Sequence, residues 1–458
     1  MPLFRPIPAP LLAVFGLLTA PLAVLRADLV TDWNALALET MRTTAESPFV
    51  ARDLAILHTA IYNAGESIWG NYETYGFNTY SAPGSGPSGA SAEAAMATAA
   101  NLVMQSLYSG GSGDFTTLYN TQLGGIADGQ AKTDGIAWGT TIANDILTWR
   151  SGDGASAAAS TPYSPVGTIG YWQQTSASNA LLPGWGSVNT FAIGSTAPYV
   201  STVPGATRAD YLQTGQYAAD YNQVKDLGSQ SSLTRTADQT TQAYFWSGGS
   251  GTVKVPGMWN EVATIAASTA GLTVEETARL FAAMNVALAD AGIASWASSY
   301  DTQFWRPETA IANGGDGFFD TDGNASTEGD FFWLPLINSP SYPEYVSSQG
   351  AFSASAATVL AEYLGDAMAF SLSSDIDGNG SKDLTRSFTS FTEAANEAAQ
   401  SGLFAGTQFG TSIIDSQVLG ADVGSFVVNN NFAAVPEPAG VILTLLGSLL
   451  LLQRRRPA

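Results

Sequence analysis

The sequence predicts an all-α protein, built of helical bundles joined by long irregular loops. Three observations carry that prediction. Apolar residues recur at helical spacing over several long segments. Hydroxyl and glutamate side chains sit three residues apart where such segments begin, the spacing of a capping box. Alternating apolar–polar runs, which would mark strands, are few and short.

Residues 50–64 place Leu54, Leu57 and Ile61 on one helical face. His58, the only histidine, shares that face with Leu54, Ile61 and Tyr62 and reads as a core residue rather than a catalyst. Residues 91–108 are alanine-rich and end in LVMQSLY. Thr273 and Glu276 open a helix over 273–296 whose stripe is Leu280, Phe281, Met284, Leu288 and Ala291. Residues 349–364 carry Phe352, Ala356, Val359, Leu360 and Tyr363 on one side, and Ser390 with Glu393 opens a further helix. Gly, Ser and Pro mark loops at 81–90, 109–113, 151–168 and 247–251, and residues 160–207 read as one long irregular excursion. These signals divide the chain into a leader (1–27), an N-terminal helical region (28–205), a C-terminal helical bundle (206–435) and a tail (436–458).

The composition narrows the chemistry. The 458 residues hold 17 Lys and Arg against 39 Asp and Glu, a formal charge of −22, with no Cys and one His. Thiolate sites and any metal site needing two histidines are excluded. The acidity argues against nucleic acid as a partner. Arg5, the apolar run 11–25 and the small residues Ala23 and Ala27 form a secretory signal pattern. The tail has Pro436-Glu437-Pro438, an apolar run from Ala439 to Leu452, and Arg454-Arg455-Arg456. Fourteen helical residues reach about 21 Å, short of the roughly 30 Å of a hydrocarbon core. In the order of its parts the tail resembles the PEP-CTERM sorting signal. That resemblance implies export to the envelope or beyond, a transient membrane anchor, and an exosortase-type partner that removes the tail. The body between these signals holds 38 acids and 12 bases.

Three segments could carry chemistry. Arg306 lies in Phe304-Trp305-Arg306-Pro307-Glu308, a fixed guanidinium suited to an oxyanion or to a buried pair with Glu308 or another carboxylate. In Pro340-Ser341-Tyr342-Pro343-Glu344-Tyr345-Val346-Ser347-Ser348-Gln349, Ser347 or Ser348 would cap the helix that follows. In Ser401-Gly402-Leu403-Phe404-Ala405-Gly406-Thr407-Gln408, a helix ends at Gly402 and another begins beyond Thr411.

In this order and spacing the segments resemble the vanadium-dependent haloperoxidases and the related type 2 phosphatidic acid phosphatases. The likeness extends to Arg52-Asp53-Leu54 and to Thr385-Arg386-Ser387, and so covers about residues 45–430. It implies helical bundles with a vanadate or phosphate pocket in the C-terminal half. Carried over residue by residue, the family's lysine falls on Ser299, its first arginine on Arg306, its Ser-Gly-His on Ser347, Ser348 and Gln349, its second arginine on Gly402, and its final histidine on Gln408.

The replacements argue against vanadate as a cofactor. An amide at Gln349 has no proton to exchange near neutrality, and one at Gln408 supplies neither a nucleophile nor a strong nitrogen ligand. The expectation is therefore an exported, haloperoxidase-like protein with a degenerate site, acting in the envelope or extracellular matrix. The alternatives are an active haloperoxidase or acid-phosphatase-type enzyme with a variant site, and an unrelated acid–base enzyme using paired carboxylates, for which no motif is found. Asp375, Asp377, Asn379, Ser381 and Asp383 follow the first part of an EF-hand loop and make calcium a candidate ligand, though Arg386 stands where the bidentate acid belongs. Asp320, Asp322, Asn324, Ser326 and Glu328 are a weaker version, with Ala325 at the glycine position.

Overall fold

The computed structural model describes residues 28–175, 178–316 and 321–436. The leader, and the tail beyond Pro436 with Glu437 and Pro438, lie outside the described residues. The first half contains α1 (Leu29–Met41), α2 (Ser47–Trp69), α3 (Ala92–Leu107), α4 (Ser112–Gly124), α5 (Gln130–Arg150) and the short α6 (Ala155–Ala159). After the irregular excursion come α7 (Arg208–Leu212), α8 (Gly215–Leu227), α9 (Ala237–Phe245), α10 (Lys254–Ala270), α11 (Val274–Thr302) and α12 (Pro307–Ala312). α13 (Ser348–Leu364), a hairpin of β1 (Phe370–Ser374) and β2 (Leu384–Phe388), α14 (Phe391–Phe404) and α15 (Gly410–Asn430) complete the described chain.

The capping signals act where the sequence places them. Thr273 caps α11 in a full box with Glu276. Ser390 caps α14, while Glu393 reaches back to the Thr389 amide at 2.6 Å. Gly402 does not end its helix: α14 runs to Phe404, and the left-handed residue is Gly406 at φ +79°. The hairpin, with Phe370 opposite Phe388, was not expected, because five-residue strands leave too short an alternation to read.

α11 is the axis of the fold and is buried along nearly its whole length. Phe281, Met284 and Leu288 pack in one apolar core with Leu54 and Ile61 of α2, Met96 of α3, Trp259 of α10 and Leu360 of α13. Farther along, Ala291 and Ala294 enter a second core with Tyr217 and Tyr221 of α8, Leu403 of α14, and Ile413 and Val423 of α15. Apolar packing therefore runs continuously past residue 205. The excursion is tied to this axis by Asp290 of α11, which is fully buried. Its carboxylate accepts the N–H groups of Phe191, Ala192 and Ile193 at 2.6, 2.7 and 2.9 Å. Burial pushes its pKa up to about 6 against the pull of those three donors and of Arg150.

Candidate functional site

Arg306 is the N-cap residue of α12, held extended by the proline that follows it. The side chain is 1% exposed. Its Nε donates to Tyr342 O at 2.9 Å, Nη2 to Pro343 O at 3.3 Å and Nη1 to Thr407 O at 2.9 Å. The guanidinium also lies over the Tyr342 ring, 4.5 Å from its centroid. Gln408, in the amide orientation that satisfies both neighbours, accepts from Nη1 at 2.9 Å and donates to Glu344 Oε1 at 2.6 Å. Four of the five guanidinium N–H donors thus end on protein oxygens.

Glu344 is the residue that sequence reasoning missed. It is fully buried, and the Phe409 N–H donates to its Oε1 at 2.9 Å. Burial pushes its carboxyl up to about 8, opposed by Arg306 and the Phe409 amide. Glu308, the sequence neighbour considered for Arg306, is only half-buried and forms no ion pair with it. An acid between Pro343 and Tyr345 in an apolar segment was the available signal. Its hydrogen bond with Gln408 spans 64 residues, a separation that no local pattern reports.

The other matched positions divide into two groups. Ser348, Gln349 and Gln408 line a cavity of about 190 Å³, with Trp296, Tyr342 and Phe352 among its apolar walls. Ser348 pairs with the Tyr342 hydroxyl at 2.8 Å, and Gln349 donates to Trp246 O and Ser401 Oγ, both at 2.8 Å. Ser299, Arg306, Ser347 and Gly402 do not line this cavity. Ser347 caps α13 through the Gly350 N–H, and the buried Ser299 hydroxyl has no hydrogen-bond partner. At Gly402 a Cβ would stand 2.7 Å from Gln408 Cγ, so the glutamine occupies the space that a side chain there would need.

Residues 279–435 match the model of the second helical-bundle domain of vanadium chloroperoxidase. Over 173 residues, 32% of the chain, the sequence is 27% identical to vanadium chloroperoxidase of Curvularia inaequalis. That match spans about a quarter of the relative's length, 27%. The structure superposes on a bacterial vanadium-dependent iodoperoxidase with a TM-score of 0.75, covering 90% of this chain and 98% of the other at 23% identity. A bacterial vanadium-dependent chloroperoxidase gives 0.63, over 84% and 93%, at 15% identity. The fold is that of the vanadium haloperoxidases.

Within this haloperoxidase fold, His58 lies in the core of α2, with Nε2 3.2 Å from Asn34 Oδ1 and its ring against Phe281. Burial pulls its pKa down to about 3, so the imidazole is neutral at ordinary pH. The acidic loop 375–383 joins β1 to β2. Oxygens of Asp375, Asp377 and Asp383 lie within 4.8 Å of one another. Asp375 also accepts the Gly378, Asn379 and Gly380 N–H groups, and Asn379 Oδ1 accepts that of Ser381. In the second loop Asp320 lies outside the described residues. Asp322 is taken up by protein donors: Thr327, Tyr217 and the Gly315 and Asn324 amides.

Proposed function

We propose that this is an exported protein of the haloperoxidase fold whose oxyanion site has become a structural hydrogen-bond network. It serves as a component of the envelope or extracellular matrix rather than as a halide-oxidising enzyme or phosphatase. The observation that carries this reading is the state of Arg306. Its donors are occupied by Tyr342, Pro343 and Thr407 carbonyls and by Gln408, with Glu344 one hydrogen bond farther on. A tetrahedral oxyanion needs those donors free and positive charge around them. Here an acid stands next to the site, no imidazole is present, and the body of the chain is strongly acidic. Each missing charge-assisted bond removes about 1.5–3 kcal/mol of anion binding. The residues present do not fit vanadate, and no catalytic step is derived through it. The secretory pattern and the three-part tail support export and handling by an exosortase-type partner.

The test is an assay of the purified protein with vanadate, hydrogen peroxide and bromide, alongside direct titration of vanadate binding. Neither binding nor turnover is expected. The triple variant Gln349→His/Gly402→Arg/Gln408→His replaces the three positions, and its histidine at 408 must swing off the Gly402 face to admit the arginine. Vanadate-dependent turnover by the native chain would overturn the proposal and favour an active enzyme with a variant site.

A further inference from the structure

A second cavity, of about 410 Å³, opens between α1, α10 and the β1–β2 hairpin. It shares no lining residue with the cavity beside Gln408. Small-molecule sites occupy roughly 300–1,000 Å³, and this one falls within that range. Two helices present one face each to it. Asn34, Leu38 and Arg42 follow at four-residue steps along α1 and its C-cap, and Met258, Glu261 and Ile265 at steps of three and four along α10. Leu38, Met258 and Leu372 of β1 are almost wholly buried and form an apolar wall. Asn34 is buried too, and its amide is already engaged by His58 and Thr264. Polar recognition therefore rests on the charged side chains.

Lys382 Nζ, on the hairpin, donates to Glu261 Oε1 at 2.6 Å. Glu261 Oε2 is buried and accepts no hydrogen bond from any described residue. Arg42 Nη1 donates to Gly251 O at 2.8 Å and lies 3.8 Å from Asp375 Oδ2. Arg42 Nε stands 2.8 Å from the exposed Glu39 Oε2 but out of line with it, and this buried N–H makes no hydrogen bond to a described residue. One cavity thus carries a carboxylate oxygen without a donor and a guanidinium N–H without an acceptor. A buried polar atom without a partner is costly, and these two are opposite in sign. We propose that the cavity binds an apolar α-amino acid in its zwitterionic form. Its ammonium donates to Glu261 Oε2, its carboxylate accepts from Arg42 and Lys382, and its side chain lies against Leu38, Met258 and Leu372. An anion alone would be opposed by Glu39, Glu261 and Asp375, and a cation alone would leave the Arg42 N–H unanswered. A zwitterion satisfies both atoms and adds no net charge.

The experiment is isothermal titration of the purified protein with L-phenylalanine, its methyl ester and phenylpropionate, repeated on Glu261→Gln and Arg42→Gln. L-Phenylalanine should bind in one-to-one ratio. The ester lacks the carboxylate and phenylpropionate lacks the ammonium, so each should bind about tenfold or more weakly, the loss of a charge-assisted hydrogen bond. Glu261→Gln should weaken L-phenylalanine by a similar factor and leave phenylpropionate unchanged. Arg42→Gln should weaken L-phenylalanine likewise and leave the ester unchanged. The comparison of the three ligands uses the native chain and decides the matter if a variant does not fold. No binding of L-phenylalanine up to about 1 mM overturns the site. Equal affinity for all three ligands overturns it as well, as does L-phenylalanine binding that is the same in both variants as in the native chain.

Discussion

Replacing Gln408 with leucine removes the amide between Arg306 and Glu344 while keeping most of the volume. The lost acceptor faces a guanidinium N–H at 2.9 Å, and the lost donor faces a carboxyl oxygen at 2.6 Å, both in the interior. A hydrogen bond to a charged group contributes about 1.5–3 kcal/mol, and one to a neutral group about 0.5–1.5 kcal/mol. With Glu344 raised to about 8, its carboxyl is mostly protonated at pH 7 and belongs to the second class. The variant should therefore lose about 2–4.5 kcal/mol, a large part of the roughly 5–15 kcal/mol typical of a folded domain. Urea unfolding at pH 7 measures this as a lower midpoint with an unchanged slope. Combining Gln408→Leu with Glu344→Gln should give less than the sum of the two losses, since both act on one network. A loss below about 0.5 kcal/mol, the range of ordinary surface changes, would refute the bridging role of Gln408.

Four other outcomes follow from the same contacts. Glu344 has a raised carboxyl, so its contribution to stability is full below pH 4.5 and fades as the pH rises through about 8; Glu344→Gln should flatten that part of the pH–stability curve measured by urea. The single imidazole resonance, from His58, should not shift in NMR spectra between pH 4.5 and 8. Asp290→Asn replaces an acceptor of three N–H groups with an amide that can serve only some of them; it should cost about 2–4 kcal/mol and speed amide exchange at Phe191, Ala192 and Ile193. If the 375–383 loop holds calcium, saturating calcium at about 100 times Kd adds about 2.7 kcal/mol and raises Tm, the rise vanishing in Asp377→Asn/Asp383→Asn. A Tm indifferent to chelator would remove calcium from that loop.

Much of the fold was legible along the chain because helices are built from local contacts. The stripe over Leu280 to Ala291, the Thr273–Glu276 box and the Ser347 cap each lie within a few turns of one helix, and each is in place. The site positions were legible by residue type, glutamine at 349 and 408 and glycine at 402. The partners that these side chains meet were not legible. Glu344 meets Gln408 and Asp290 meets 191–193, across separations of 64 and about 98 residues. Whether a buried acid finds an amide or three N–H groups depends on which helices the topology sets side by side. Burial then fixes each proton, because the cost of charge in the interior is set by the whole surroundings rather than by the neighbouring residues in the chain. The sequence by itself determined the helices and the residue types at 349, 402 and 408; only the tertiary packing decided that Arg306 would be occupied from within.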